Sequence, residues 1–150
     1  MNPLVRRYLK TAIVFLLTGL ALGFWMLLGR ELGVPMSWRL RSAHTHAVLV
    51  GFVMLMIAGV ALWMFPRARS GDGRYRPVLA EIAWWAIAGG TALRVVLEAW
   101  PIASGAGATS ATRIGWAIVG AGALQIAGLA LFFVGLWPRI RSSGANPEGR

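Results

Sequence analysis

The chain has 150 residues, 57% of them hydrophobic and 13% charged, and carries a net charge of +10. That is more apolar than a soluble domain of this size usually is, and it contains no cysteine. Disulfides, iron–sulfur clusters, covalent c-type haem attachment and thiol catalysis are therefore excluded.

A helix needs about 20 apolar residues to cross a bilayer core of roughly 30 Å. Four runs meet that length, at about 11–29, 43–65, 78–100 and 114–137. The fold class expected is all-α, an integral membrane four-helix bundle occupying residues 1–140, with a disordered tail over 141–150. The first run follows Arg6, Arg7 and Lys10, as a signal peptide would, but it is longer than a signal segment and ends in GREL instead of a small-residue cleavage site. It is read as a retained helix. Its Gly19 and Gly23 form a small-xxx-small pair suited to packing inside the bundle.

The basic residues lie in the flanking segments. Ten of them sit at the N-terminus, in the loop after the second run and at the C-terminus, against four (Arg30, Arg39, Arg41 and Arg113) on the other side. The positive-inside rule then puts both termini in the cytoplasm and the chain, multi-pass, in the inner (cytoplasmic) membrane. The same rule accounts for the charge without nucleic acid. Tryptophans cluster near the run ends, as an interfacial belt does. In the fourth run, Gln125 is the one polar side chain at mid-membrane, and it is expected to hydrogen-bond a neighbouring helix.

Ionisable groups inside a membrane are costly and mark candidate sites. Here they are His44, His46, Glu81, Arg94 and Glu98. Glu81 reads as a solvated carboxylate at a helix start. The second run begins at the outer side with His44 and His46, and the third runs the other way, with Glu98 about 4 Å and Arg94 about 10 Å short of its end. The topology therefore gathers all four in the outer third of the bilayer. Arg94 and Glu98 are spaced i,i+4, so they can form an ion pair, or Arg94 can face an anion between the helices.

Two residues apart on a helix, His44 and His46 point about 200° apart and cannot clamp one iron. Gly51 and Gly59 fall on the stripe below His44, which leaves a flat slot for a porphyrin. Arg39 and Arg41 stand above it, placed to neutralise haem propionates. The second axial ligand then comes from another subunit, from a methionine, or is absent.

The stretch WRLRSAHTHAVLVGF, Trp38 to Phe52, resembles the second transmembrane helix of subunit I of haem-copper oxidases, most closely the cbb-type cytochrome c oxidases and the related nitric oxide reductases. In that family an arginine-containing approach leads to a His-Thr-Asn segment whose histidine ligates the low-spin haem b. The resemblance puts His44 in that ligand's place and Thr45 in that of the threonine, with His46 where the asparagine would be. It also implies haem b as cofactor and electron transfer in respiration or denitrification as function. A respiratory oxidoreductase is the implied partner, and a homo-oligomer sharing haem between protomers is the simplest route to six-coordination. The family's later histidines, which hold the active-site haem and copper, have no counterpart, so the chain is not expected to reduce oxygen or nitric oxide alone. Competing readings are a haem-free accessory or assembly protein of a terminal oxidase or nitric oxide reductase, and a haem sensor for nitric oxide or oxygen. Last comes a copper or zinc site from His44, His46 and Glu98, disfavoured by the diverging rings.

Overall fold

The computed structural model describes residues 2–65, 77–99 and 108–140, the side chains of 108–112 excepted. Helix α1, Pro3–Glu31, begins where Asn2 accepts the Leu4 N–H at 2.9 Å and Pro3 supplies a ready-made first-turn φ. The charged residues before the apolar run therefore belong to the same helix. It stops at Gly33, whose φ of 69° lets the Val34 N–H reach back to the Gly29 carbonyl at 2.8 Å. Glycine takes that left-handed conformation without the penalty a β-carbon would impose.

The second span, Trp38–Met64, is continuous but not uniform. Ser37 caps its start by accepting the Arg39 N–H at 3.2 Å, so α2, Trp38–His46, begins before the apolar run does. An eight-residue π-helical stretch follows at Ala47–Met54, and α3, Leu55–Met64, completes the span. π-Helical turns are rare and recur at functional sites. This one starts directly after His46. Helices α4, Pro77–Ala99, and α5, Ala108–Leu136, follow, the latter ending in a 3-10 turn at Trp137–Arg139.

Among the described residues four helices are long and apolar enough to cross a membrane, and there is no strand. The large apolar side chains left exposed, among them Phe24, Leu49, Trp63 and Ile126, suit hydrocarbon surroundings. The arrangement is that of a multi-pass membrane protein. The tail after residue 140 and the arginine-rich loop between α3 and α4 lie outside the described residues.

The second span packs extensively against α1 on one side and α4 on the other, and α5 packs chiefly on α4. At one end of the bundle, here the lower end, Pro3, Met64, Pro77 and Leu136 come together. Tyr8 is fully buried there, donates its hydroxyl to the Ala80 carbonyl at 2.7 Å, and lies 5.9 Å from the Phe132 ring. Leu55 and Ile87 complete this core. Arg7 and the exposed Glu81 pair at 2.8 Å on its rim, and Arg139 donates to the Phe65 carbonyl at 2.7 Å. Gln125 donates to Thr91 at 2.9 Å, tying α5 to α4 as the lone mid-span amide suggested. Trp84 packs on the core, with its indole N–H buried and without a partner among the described residues.

At the upper end α2 packs against α1 through His44 and against α4 through Ser42. These contacts form two seams, α1 with α2 and α2 with α4, and each receives one histidine.

Candidate functional site

On the first seam the His44 Nδ1 stands 2.8 Å from the Gly19 carbonyl of α1. A carbonyl oxygen only accepts, so Nδ1 carries the proton and donates. A neutral imidazole with Nδ1 protonated has its lone pair on Nε2, the arrangement that ligating histidines use. The ring rests against Gly23, where a β-carbon would come within 2.9 Å of Cε1 and 3.2 Å of Nδ1. Gly19 meanwhile admits Val48, whose methyl would meet an added β-carbon at 2.6 Å. The small-xxx-small pair of α1 therefore packs, and what it packs against includes an imidazole.

The glycine stripe of the second span does face one way, but its occupant corrects the expectation. Gly51 is filled by the Phe15 ring of α1, in contact closer than any β-carbon would tolerate, and Gly59 by Tyr8 and Leu9. No flat slot remains below His44, because α1 lies in it.

Open space lies above. A cleft of about 390 Å³ between the upper ends of α1 and α2 is lined by Met26, Leu27, Arg30, Val34, Met36, Ser37 and Arg41. Arg41 is one turn before His44 on α2, and Met26, Leu27 and Arg30 continue the face of α1 that carries Gly23. The cleft thus lies one to two turns above the contact of His44 with Gly23, and neither of those two residues lines it. Arg41 lines it as the sequence suggested; Arg39 does not, its guanidinium lying 5.8 Å over the neighbouring Trp38 ring. Arg30 takes the second cationic place. Its sequence signal was weak, since it lies at the far end of another run, and it also pairs with the exposed Glu31 at 3.1 Å.

On the second seam, His46 donates from Nδ1 to the Ser42 carbonyl at 2.9 Å. The Ser42 hydroxyl donates to Glu98 Oε1 at 3.0 Å, and Arg94 Nε donates to the same oxygen at 3.0 Å. Glu98 is buried, and its Oε2 has no partner among the described residues. Arg94 and Glu98 therefore form the i,i+4 pair the spacing allowed. The guanidinium reaches α5 at Gly122, where a β-carbon would stand 3.2 Å from Nη1. Ser42, unremarked in the sequence, links His46 to Glu98; its place four residues before His46 was the available signal.

The expected gathering of four groups thus resolves into two. His46, Arg94 and Glu98 share the second seam, whereas His44 faces the first. A metal site built from His44, His46 and Glu98 is ruled out by that division, since the second span itself stands between the rings. Arg94 likewise does not line the cleft above His44.

No curated protein and no solved structure matches the chain. The profile of one protein family, described as cytochrome c and quinol oxidase polypeptide I, matches residues 3–146. That match takes in all four spans, and the chain belongs to this family.

Proposed function

We propose that the protein is a small membrane b-type cytochrome, with His44 as an axial ligand of haem b, that passes electrons to or from a respiratory oxidoreductase. The observation carrying this reading is the His44 Nδ1–H to Gly19 carbonyl bond at 2.8 Å, which commits Nδ1 and leaves Nε2 as the ring nitrogen that could take a metal. Fixing an imidazole in this way is what second-shell hydrogen bonds do for metal ligands, and their loss typically weakens metal binding about 10–100-fold.

The residues present fit the group in three respects. The Nε2 lone pair suits haem iron. The arginines of the cleft, Arg30 and Arg41, suit carboxylates. Leu27, Val34 and the two methionines supply an apolar wall. They fit only above His44, since Phe15 fills the space below. When bound, haem b supplies one-electron transfer. The chain's own residues do the rest: Gly19 and Gly23 hold the imidazole in place, and the guanidiniums balance charge in an apolar setting where unpaired carboxylates would be costly.

The test is an optical spectrum of the protein purified from haem-replete cells, oxidised and then reduced with dithionite. A sharp low-spin b-type pair of reduced bands supports the reading. A broad high-spin spectrum that changes with nitric oxide replaces electron transfer with gas sensing. A colourless protein leaves the haem-free accessory role.

A further inference from the structure

The cleft at the upper ends of α1 and α2 reaches neither His44 nor Gly23, and its position follows from the ends of two spans. Arg30 stands in the last turn of α1, and Ser37 and Arg41 at the start of the second span. Residues at such ends lie at the depth of the lipid headgroups, outside the hydrocarbon. Trp38, the exposed neighbour of Ser37, is of the residue type that anchors at that depth.

The cleft is amphipathic in the order that a lipid is. Arg30 and Arg41 supply charge, and Met26, Leu27, Val34 and Met36 an apolar wall. The Arg30 guanidinium is shared with Glu31 at 3.1 Å, whereas no carboxylate among the described residues pairs with Arg41. The cleft therefore keeps a net positive charge, and guanidinium is the group that recognises phosphate bidentately. Below the cleft, Leu27 continues into Phe24 and Leu20, three and seven residues earlier on one face of α1 and all exposed. An acyl chain hanging from a phosphate in the cleft would meet that apolar track. The volume of about 390 Å³ admits a headgroup and leaves the chains outside.

We infer that the cleft binds the phosphodiester of an anionic phospholipid such as phosphatidylglycerol, with Arg41 and Arg30 on the phosphate and the acyl chains along Leu27, Phe24 and Leu20. The net charge selects the lipid class. A choline or ethanolamine headgroup brings a further cation toward Arg41, whereas a glycerol headgroup brings none. This site goes beyond the haem reading and draws on the same two arginines, so phosphate and propionate compete for them.

The test is native mass spectrometry of the full-length protein in detergent, with phosphatidylglycerol or phosphatidylcholine of the same acyl chains added. It is run on wild type and on His44→Ala, the variant that the haem reading leaves without haem. One phosphatidylglycerol is expected on His44→Ala whether or not wild type is coloured, and a colourless wild type should carry it as well, so the lipid site and the haem reading fail separately. In the same background Arg41→Gln should weaken retention roughly tenfold, the worth of charge-assisted hydrogen bonds. Arg39→Gln removes an equal charge from a guanidinium held over Trp38, outside the cleft, and should leave retention unchanged. Val34→Trp, which keeps both charges and fills the cleft, should expel the lipid. Equal retention of phosphatidylcholine, or equal losses in Arg39→Gln and Arg41→Gln, would overturn the inference, the attraction then being that of any basic surface. Lipid retained in full by Val34→Trp would overturn it too. So would displacement by millimolar inorganic phosphate, since the site would then take the free ion and not the lipid.

Discussion

The two seams flanking α2 start from the same element, an imidazole whose Nδ1 donates to a backbone carbonyl, and end differently. On the α4 side the carbonyl belongs to Ser42, one turn up the same helix, and the surroundings are Glu98 and Arg94. On the α1 side the carbonyl belongs to Gly19, on another helix, and the surroundings are glycine and an open cleft. The first arrangement pairs its polar groups with one another, save the buried Glu98 Oε2, and holds α2 to α4. The second seats the ring on glycines, below a cleft lined in part by Arg30 and Arg41. Burial and polarity alone would have ranked the Glu98 seam as the active one. The comparison sets a polar cluster satisfied within itself except at Glu98 Oε2 against a histidine held by the backbone of a neighbouring helix.

The sharpest way to break this contrast is to remove each seam's central group in turn. His44→Ala should abolish haem binding while the protein still purifies as a folded helical chain, checked by haem-to-protein ratio and far-UV circular dichroism. Glu98→Ala should do the reverse. Removing one member of a buried ion pair strands the other and costs about 3–5 kcal/mol, so its thermal unfolding in detergent should drop markedly with haem content unaltered. If Glu98→Ala loses haem as fully as His44→Ala, the seams are not separate.

A smaller effect is expected from Gly23→Ala. A β-carbon 2.9 Å from Cε1 displaces the imidazole from Gly19, and haem affinity measured by titration should fall about 10–100-fold. Unchanged affinity would mean that the Gly19 bond does not position the ligand. Below that comes Gln125→Leu, which removes the amide bond to Thr91 and should cost about 1 kcal/mol in the same unfolding measurement. The least is expected from Arg7→Ala. Its pair with Glu81 is about half exposed on both sides, and exposed pairs contribute about 0–1 kcal/mol.

Much of the fold was legible in the sequence because membrane spans are dictated by length and apolarity. The helix ends were less so. Asn2 and Ser37 extend α1 and α2 beyond the apolar runs by capping, a polar signal that a search for uncharged stretches passes over. The π-helical turns at Ala47–Met54 left no mark in composition, since Val, Leu and Phe there suit an ordinary helix equally well.

The site divides along the same line. The i,i+4 pairing of Arg94 with Glu98 and the divergence of His44 from His46 follow from helical periodicity within one element, and both are present. The glycine stripe was also real, but whether Phe15 or a porphyrin fills it depends on how α1 registers against the second span, which no single-helix pattern encodes. For the same reason the seat of His44 on Gly19 and Gly23, and the contribution of Arg30 to the cleft, emerged only with the helices assembled.

The central claim is that His44, not His46, holds the cofactor. The most direct test is the haem-to-protein ratio of His44→Ala and His46→Ala, expressed side by side in haem-replete cells and assayed as the pyridine haemochromogen. The account predicts no haem in His44→Ala and a haem-loaded, at most weakened, His46→Ala. Haem retained in His44→Ala and lost in His46→Ala would contradict it, and would move the site to the seam with Glu98.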